Sequence, residues 1–126
     1  MTTVIDTCVL IDVLRHHREA FDLVRTERLS GGRLHANEVT RLEVLAGMRP
    51  SEEWETRELL STVIWHDLDR EIAELAAELG RQWLPRNRGI VAADLAIAAT
   101  TVKLGARLLT VNVKRFPMFE GLEAPY

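Results

Sequence analysis

The stretch Thr3-Val4-Ile5-Asp6-Thr7-Cys8-Val9-Leu10-Ile11-Asp12 decides the fold. Thr3 to Ile5 is a short β-branched, apolar run, which reads as a buried strand. The run stops at an acid, Asp6, and Val9, Leu10, Val13 and Leu14 then take helical spacing. Asp6 therefore stands where a strand hands over to a helix, at the carboxyl end of the strand. In open α/β sheets that edge is where ligands bind.

The same alternation continues along the chain. Arg18 to Ser30 reads as a second helix, with Ala20, Phe21, Leu23, Val24 and Leu29 on one face and Gly31-Gly32 as its end. Arg33 to Ala36 is a strand candidate. Asn37 is expected to cap a helix carrying Val39, Leu42, Leu45, Ala46 and Met48, with Gly47 and Pro50 as stop signals. Ser51 is expected to cap the next helix, with Glu53 and Glu55 in its first turn. Thr62 to Leu68 reads as a strand, and Asp69 caps a long helix reaching about Leu84, ended by Pro85. Arg86 to Val91 is a basic loop. Asp94 opens a helix, Leu95 to Leu104, that ends at Gly105. Arg107 to Val111 reads as a strand, and Lys114 to Tyr126 as a mostly irregular tail. Strands alternating with helices predict an α/β fold, a three-layer α/β/α sandwich around a central parallel sheet.

The chain has 126 residues, which suits one domain spanning 1–126. Apolar content of 47% and charged content of 28% are ordinary for a globular protein. No run is apolar and long enough to span a membrane, and none follows a basic start as a signal peptide does. The single cysteine, Cys8, excludes an internal disulfide, and a cytoplasmic location is expected. A net charge of −3 argues against a broad electrostatic nucleic-acid binder but leaves room for a local basic patch.

Three acids, Asp6, Glu43 and Asp94, are each expected at the start of a helix. Taken singly, Asp6 and Asp94 read more readily as helix caps than as ligands, and Thr40-x-x-Glu43 fits a capping box. Taken together, they converge, because helix starts after parallel strands meet at one sheet edge. Clustered carboxylates repel unless a cation neutralises them. Oxygen ligands of this kind suit Mg²⁺ or Mn²⁺, and such a metal can activate water against a phosphodiester.

Four segments then carry a resemblance: Val4 to Asp12, Val39-Thr40-Arg41-Leu42-Glu43-Val44-Leu45-Ala46-Gly47, Asp94-Leu95-Ala96-Ile97-Ala98-Ala99-Thr100, and Leu109-Thr110-Val111-Asn112-Val113-Lys114-Arg115-Phe116. In order and spacing the sequence resembles PIN-domain ribonuclease toxins of the VapC type. The resemblance implies a Mg²⁺-dependent endoribonuclease (Mn²⁺ as substitute) that inhibits growth by cutting RNA. It also implies a VapB-like antitoxin partner and a homodimer. Asp6, Glu43 and Asp94 fall on the family's catalytic, metal-holding acids, with Thr7, Thr110 and Asn112 as supporting polar positions. Arg115 stands where many relatives have a fourth acid, which puts a second metal in question.

Other residues point elsewhere. Arg86 and Arg88 precede Asp94, and Lys114 and Arg115 follow Asn112, so both pairs are candidates for RNA phosphates. Asp12 reads as a solvated helix residue, and Cys8 as a small buried one. His16, His17, His35 and His66 lack metal spacing and read as surface or structural. Trp54, Trp65 and Trp83 read as core or interface. The first two helices carry apolar residues on more than one face, a surplus that suggests a groove for a partner helix. Two other functions compete: a catalytically weak PIN-like module that binds RNA or a partner, and an aspartyl-phosphate phosphatase. The latter wants a second Asp two residues after the first, where this chain has Cys8.

Overall fold

A computed structural model describes all 126 residues, Met1–Tyr126. Four short strands, β1 (Thr3–Ile5), β2 (Leu34–Asn37), β3 (Ile64–His66) and β4 (Arg107–Leu109), pair in parallel in the order β3-β2-β1-β4. Thr3 pairs with Leu34 on one side and with Arg107 on the other. The chain runs outward from β1 through β2 to β3, then returns to place β4 on the opposite flank. The strand order therefore reverses between β1 and β4, the kind of crevice where open α/β sheets bind ligands.

Six helices cover the sheet: α1 (Thr7–Leu14), α2 (Arg18–Leu29), α3 (Glu38–Ala46), α4 (Glu53–Leu60), α5 (Arg70–Trp83) and α6 (Ala92–Leu104). Because successive strand side chains point to opposite faces, Val4 and Leu108 pack with Ile72, Leu79, Ile97 and Ala98 of α5 and α6. Ile5 and Leu109 pack instead with Val9, Leu10, Val24, Val44 and Leu60 of α1 to α4. The result is the expected three layers. Every residue of α6 from Asp94 to Thr101 is buried, as befits a helix apolar nearly all round. Its two buried threonines, Thr100 and Thr101, donate to the carbonyls of Ala96 and Ile97 one turn back. Gly80 lets α5 lie close on α6, since a Cβ there would come 3.1 Å from Leu95 Cδ1. Gly105 closes α6 at φ 58°, the left-handed region that glycine enters without strain.

The elements are shorter than the sequence suggests. The expected strand Thr62 to Leu68 narrows to Ile64–His66, because the Thr62 and Val63 N–H groups donate to Leu59 and Leu60 and still belong to the end of α4. The strand expected over Arg107 to Val111 stops at Leu109, whose carbonyl accepts the Asp6 N–H. The strand placed at Arg33 to Ala36 shifts by one residue to Leu34–Asn37. Ser51 does not cap a helix: it lies in a 3₁₀ turn, Pro50–Glu52, and α4 starts at Glu53. The tail holds one 3₁₀ turn, Val113–Arg115, followed by the buried Phe116. No helix is long and apolar enough to cross a membrane.

Candidate active site

Asp6 is the N-cap of α1, and only 4% of it is exposed. A cap needs one bond, but Asp6 accepts three. Oδ1 takes the Thr7 N–H at 2.8 Å. Oδ2 takes the Thr110 hydroxyl at 2.7 Å and the Cys8 thiol at 3.2 Å. Thr110, fully buried, lies just past β4 on the neighbouring strand's path, and its oxygen also accepts the Asn112 N–H at 2.9 Å. The crevice between β1 and β4 thus fixes the carboxylate from both sides.

Glu43 is not at a helix start, as the sequence suggested, but six residues into α3. The Thr40–Glu43 capping box does not form, because Asn37 already caps α3 by accepting the Val39 N–H. Asn37 is fully buried, and its Nδ2 donates to Thr100 Oγ1 on α6 at 3.0 Å and to the Asp67 carbonyl at 3.3 Å. These bonds fix how α3 sits against α6. The Thr7 hydroxyl donates to Glu43 Oε1 at 2.7 Å and lies 3.1 Å from the Thr40 hydroxyl. Thr7 therefore joins the first acid to the second: its N–H holds Asp6 and its side chain holds Glu43.

Asp94 is the third residue of α6 rather than its first, and its Oδ2 accepts the Val91 N–H at 2.9 Å. Only 6% of it is exposed. Its pKa is raised, first by burial and then by the charges of Asp6 and Glu43; the Val91 N–H and the Arg115 guanidinium partly offset the shift. Arg115 Nη1 stands 3.7 Å from Asp94 Oδ2. The three acids therefore feel one another across the end of the sheet. As placed, no three acidic, histidine or cysteine side chains close into a metal cage. Their chemistry is nonetheless that of a hard cation's ligands, and Mg²⁺ keeps several waters rather than demanding a full protein shell.

The remaining candidates divide. Asn112 contributes its backbone N–H, and its side chain is exposed. Lys114 is exposed on the turn after β4. Arg86 ends a 3₁₀ turn, Leu84–Arg86, with its guanidinium 5.9 Å from the Trp83 ring centre, and Arg88 is exposed in the following loop. Asp12 is not simply solvated: the Tyr126 hydroxyl donates to it at 2.5 Å. Cys8 is half-buried rather than a core residue, and burial beside Asp6 pushes its thiol up to about 11. It stays protonated near neutral pH, as a donor to Asp6 should. His17 caps α2, and His35 Nδ1 lies 2.8 Å from His66 Nε2, both structural roles. Trp65 is held by the Leu60 carbonyl and covered by the Arg41 guanidinium, whereas Trp54 is exposed. Sequence reasoning passed over Thr40 and Cys8 as parts of the site. Thr40 carried a signal, being a polar residue one turn before Glu43, but it read as half of a cap.

The PIN domain family model matches residues 3–117. Ribonuclease VapC19 of Mycobacterium tuberculosis is 38% identical over 122 residues, covering 97% of this chain and 98% of that protein. Ribonuclease VapC10 of the same organism is 34% identical, covering 97% and 91%. Among solved structures, a toxin–antitoxin complex from Klebsiella pneumoniae superposes with a TM-score of 0.79 at 27% identity, over 99% of this chain and 98% of that one. The chain belongs to the PIN-domain family, and within it to the VapC type of the VapBC toxin–antitoxin systems.

Proposed function

We propose that this protein is a Mg²⁺-dependent endoribonuclease, the toxin of a type II toxin–antitoxin pair. The observation that carries the reading is Asp6, a buried carboxylate tied by three donors beside Asp94, whose charge burial opposes. A hard cation relieves that opposition and, when bound, supplies Lewis acidity and an activated water. The protein's own part is positional. Thr7, Thr110 and Cys8 orient Asp6, the Val91 N–H orients Asp94, and Thr7 turns Glu43 toward them. The related proteins named ribonucleases support the choice of RNA.

A second reading, a binding module with weak catalysis, draws on the Arg115–Asp94 pair and on the absence of a closed cage. One experiment separates the two. Purified protein incubated with total RNA should cut it in Mg²⁺ or Mn²⁺ and stop when EDTA is added; RNA bound but left intact in Mg²⁺ would favour the binding module. An aspartyl-phosphate chemistry has less support, because Cys8 stands two residues after Asp6 where that chemistry wants a second Asp.

The partner reading rests on an apolar groove of ≈ 470 Å³ lined by Val13, Phe21, Val24, Leu29 and Leu59, with Arg25 and Arg28 at its margin. Phe21 and Leu29 are 52% and 76% exposed there. An antitoxin helix with an apolar stripe suits this groove, and the similar Klebsiella structure is a toxin–antitoxin complex. A homodimer in the cytoplasm completes the proposal. A monomer in sedimentation, with no stable complex with the product of the adjacent gene, would remove the partner part while leaving the nuclease part standing.

A further inference from the structure

Arg115 is held beside the acids from both directions. At the start of its turn, the Asn112 N–H donates to Thr110 Oγ1, the same oxygen whose hydrogen serves Asp6. At the end, Phe116, 1% exposed, is sunk among Leu95, Leu108 and the rest of the α5–α6 core. The backbone of Arg115 is therefore fixed, but its guanidinium is not. Nη1 stands 3.7 Å from Asp94 Oδ2, beyond hydrogen-bond length, and the side chain is 48% exposed. A guanidinium has five donors, and this single contact leaves them free for another acceptor. Beside it opens a cleft of ≈ 320 Å³ lined by Val111, Asn112, Val113, Lys114 and Arg115.

We propose that Arg115 alternates between two partners: Asp94 when the carboxylate site holds no divalent cation, and an RNA phosphate in the adjoining cleft when it does. The inference rests on the metal-nuclease reading above. A cation against Asp94 repels the guanidinium and competes with it for the same carboxylate. A released guanidinium beside Lys114 matches a phosphate in charge and in its forked geometry. Arg115 thus opposes metal binding in the free protein and favours RNA binding in the loaded one. It is a positioning charge for substrate rather than a metal ligand.

The test is a pair of titrations on wild type, Arg115→Ala, Arg115→Asp and Asp94→Asn, each checked for folding by circular dichroism. Mn²⁺ is titrated without RNA, and a labelled single-stranded RNA is then titrated over a range of salt in Ca²⁺. Arg115→Ala should bind Mn²⁺ about two- to fivefold tighter, the range expected of a half-exposed ion pair. It should bind RNA more weakly, with a salt slope smaller by about one. Arg115→Asp, which replaces the competing cation by an acid, should bind Mn²⁺ at least as tightly as Arg115→Ala. Unchanged or weaker Mn²⁺ binding by either variant, or unchanged RNA affinity of Arg115→Ala, would overturn the proposal. Asp94→Asn separates the two levels. If it keeps wild-type Mn²⁺ affinity, the metal reading itself fails; if it loses that affinity while Arg115→Ala changes nothing, only the role of Arg115 fails.

Discussion

Asp6 and Asp94 both sit at helix starts, yet they are held for different ends. Asp6 is surrounded by donors, and Asp94 is short of them. The raised pKa of Asp94 has a consequence for stability. A carboxyl whose folded pKa lies above its unfolded value contributes its full stability below the unfolded pKa, about 3.9, and loses it as pH rises through the folded value. At pH 7 the charged Asp94 therefore works against the metal-free fold. Asp94→Asn, whose amide oxygen can still accept the Val91 N–H, should melt higher than metal-free wild type at pH 7. The gap should close as pH falls toward about 4. A lower melting temperature at pH 7 would contradict this. Thr110 makes the complementary case. Thr110→Val keeps the shape but removes a donor to a buried carboxylate and an acceptor for the Asn112 N–H. It should cost about 1.5–3 kcal/mol in urea unfolding, and a loss below about 0.5 kcal/mol, the size of an ordinary surface change, would show that the bond does little.

At the scale of elements, α6 and the crossing of α5 over it set where Asp94 lies. Gly80→Val places methyl groups where even a Cβ would already be 3.1 Å from Leu95 and 3.4 Å from Leu84. It should destabilise by about 1–3 kcal/mol and shift the first turns of α6, lowering cleavage as well as the urea midpoint. A midpoint equal to wild type would mean that α5 moves aside freely. The helices were legible in the sequence because their ends carry chemistry: Asp6, Asn37 and Asp69 are caps, and Gly105 is a stop. Strand ends were less so. Val63 and Val111 are β-branched and read as strand, but the Val63 N–H still donates to Leu60 at the end of α4, and the pairing of β4 with β1 ends at Leu109. Glu43 was misplaced although Asn37 was the expected cap: counted from Asn37, Glu43 is the sixth residue of α3, and what ties it to the first acid is the Thr7 hydroxyl rather than a helix start.

For the whole molecule, the sheet order explains why acids far apart in sequence come close together. The reversal between β1 and β4 opens a crevice at the carboxyl ends of the strands. β1 delivers Asp6 to it, the path after β4 delivers Thr110 and Arg115, and α3 and α6 bring Glu43 and Asp94 from either face. The order of the four sequence segments foretold that meeting. The tethers of Thr7 and Cys8 needed three dimensions. This gathering is proposed above as a metal-dependent RNA-cutting site. Its most direct test is a time course of RNA cleavage in Mg²⁺ by wild type and by Asp6→Asn and Asp94→Asn, each with the fold verified. Wild type should cleave, and both variants should lose at least about a hundredfold, the scale seen when one electrostatic partner of a reaction is removed. Folded variants that cut RNA at the wild-type rate would contradict it.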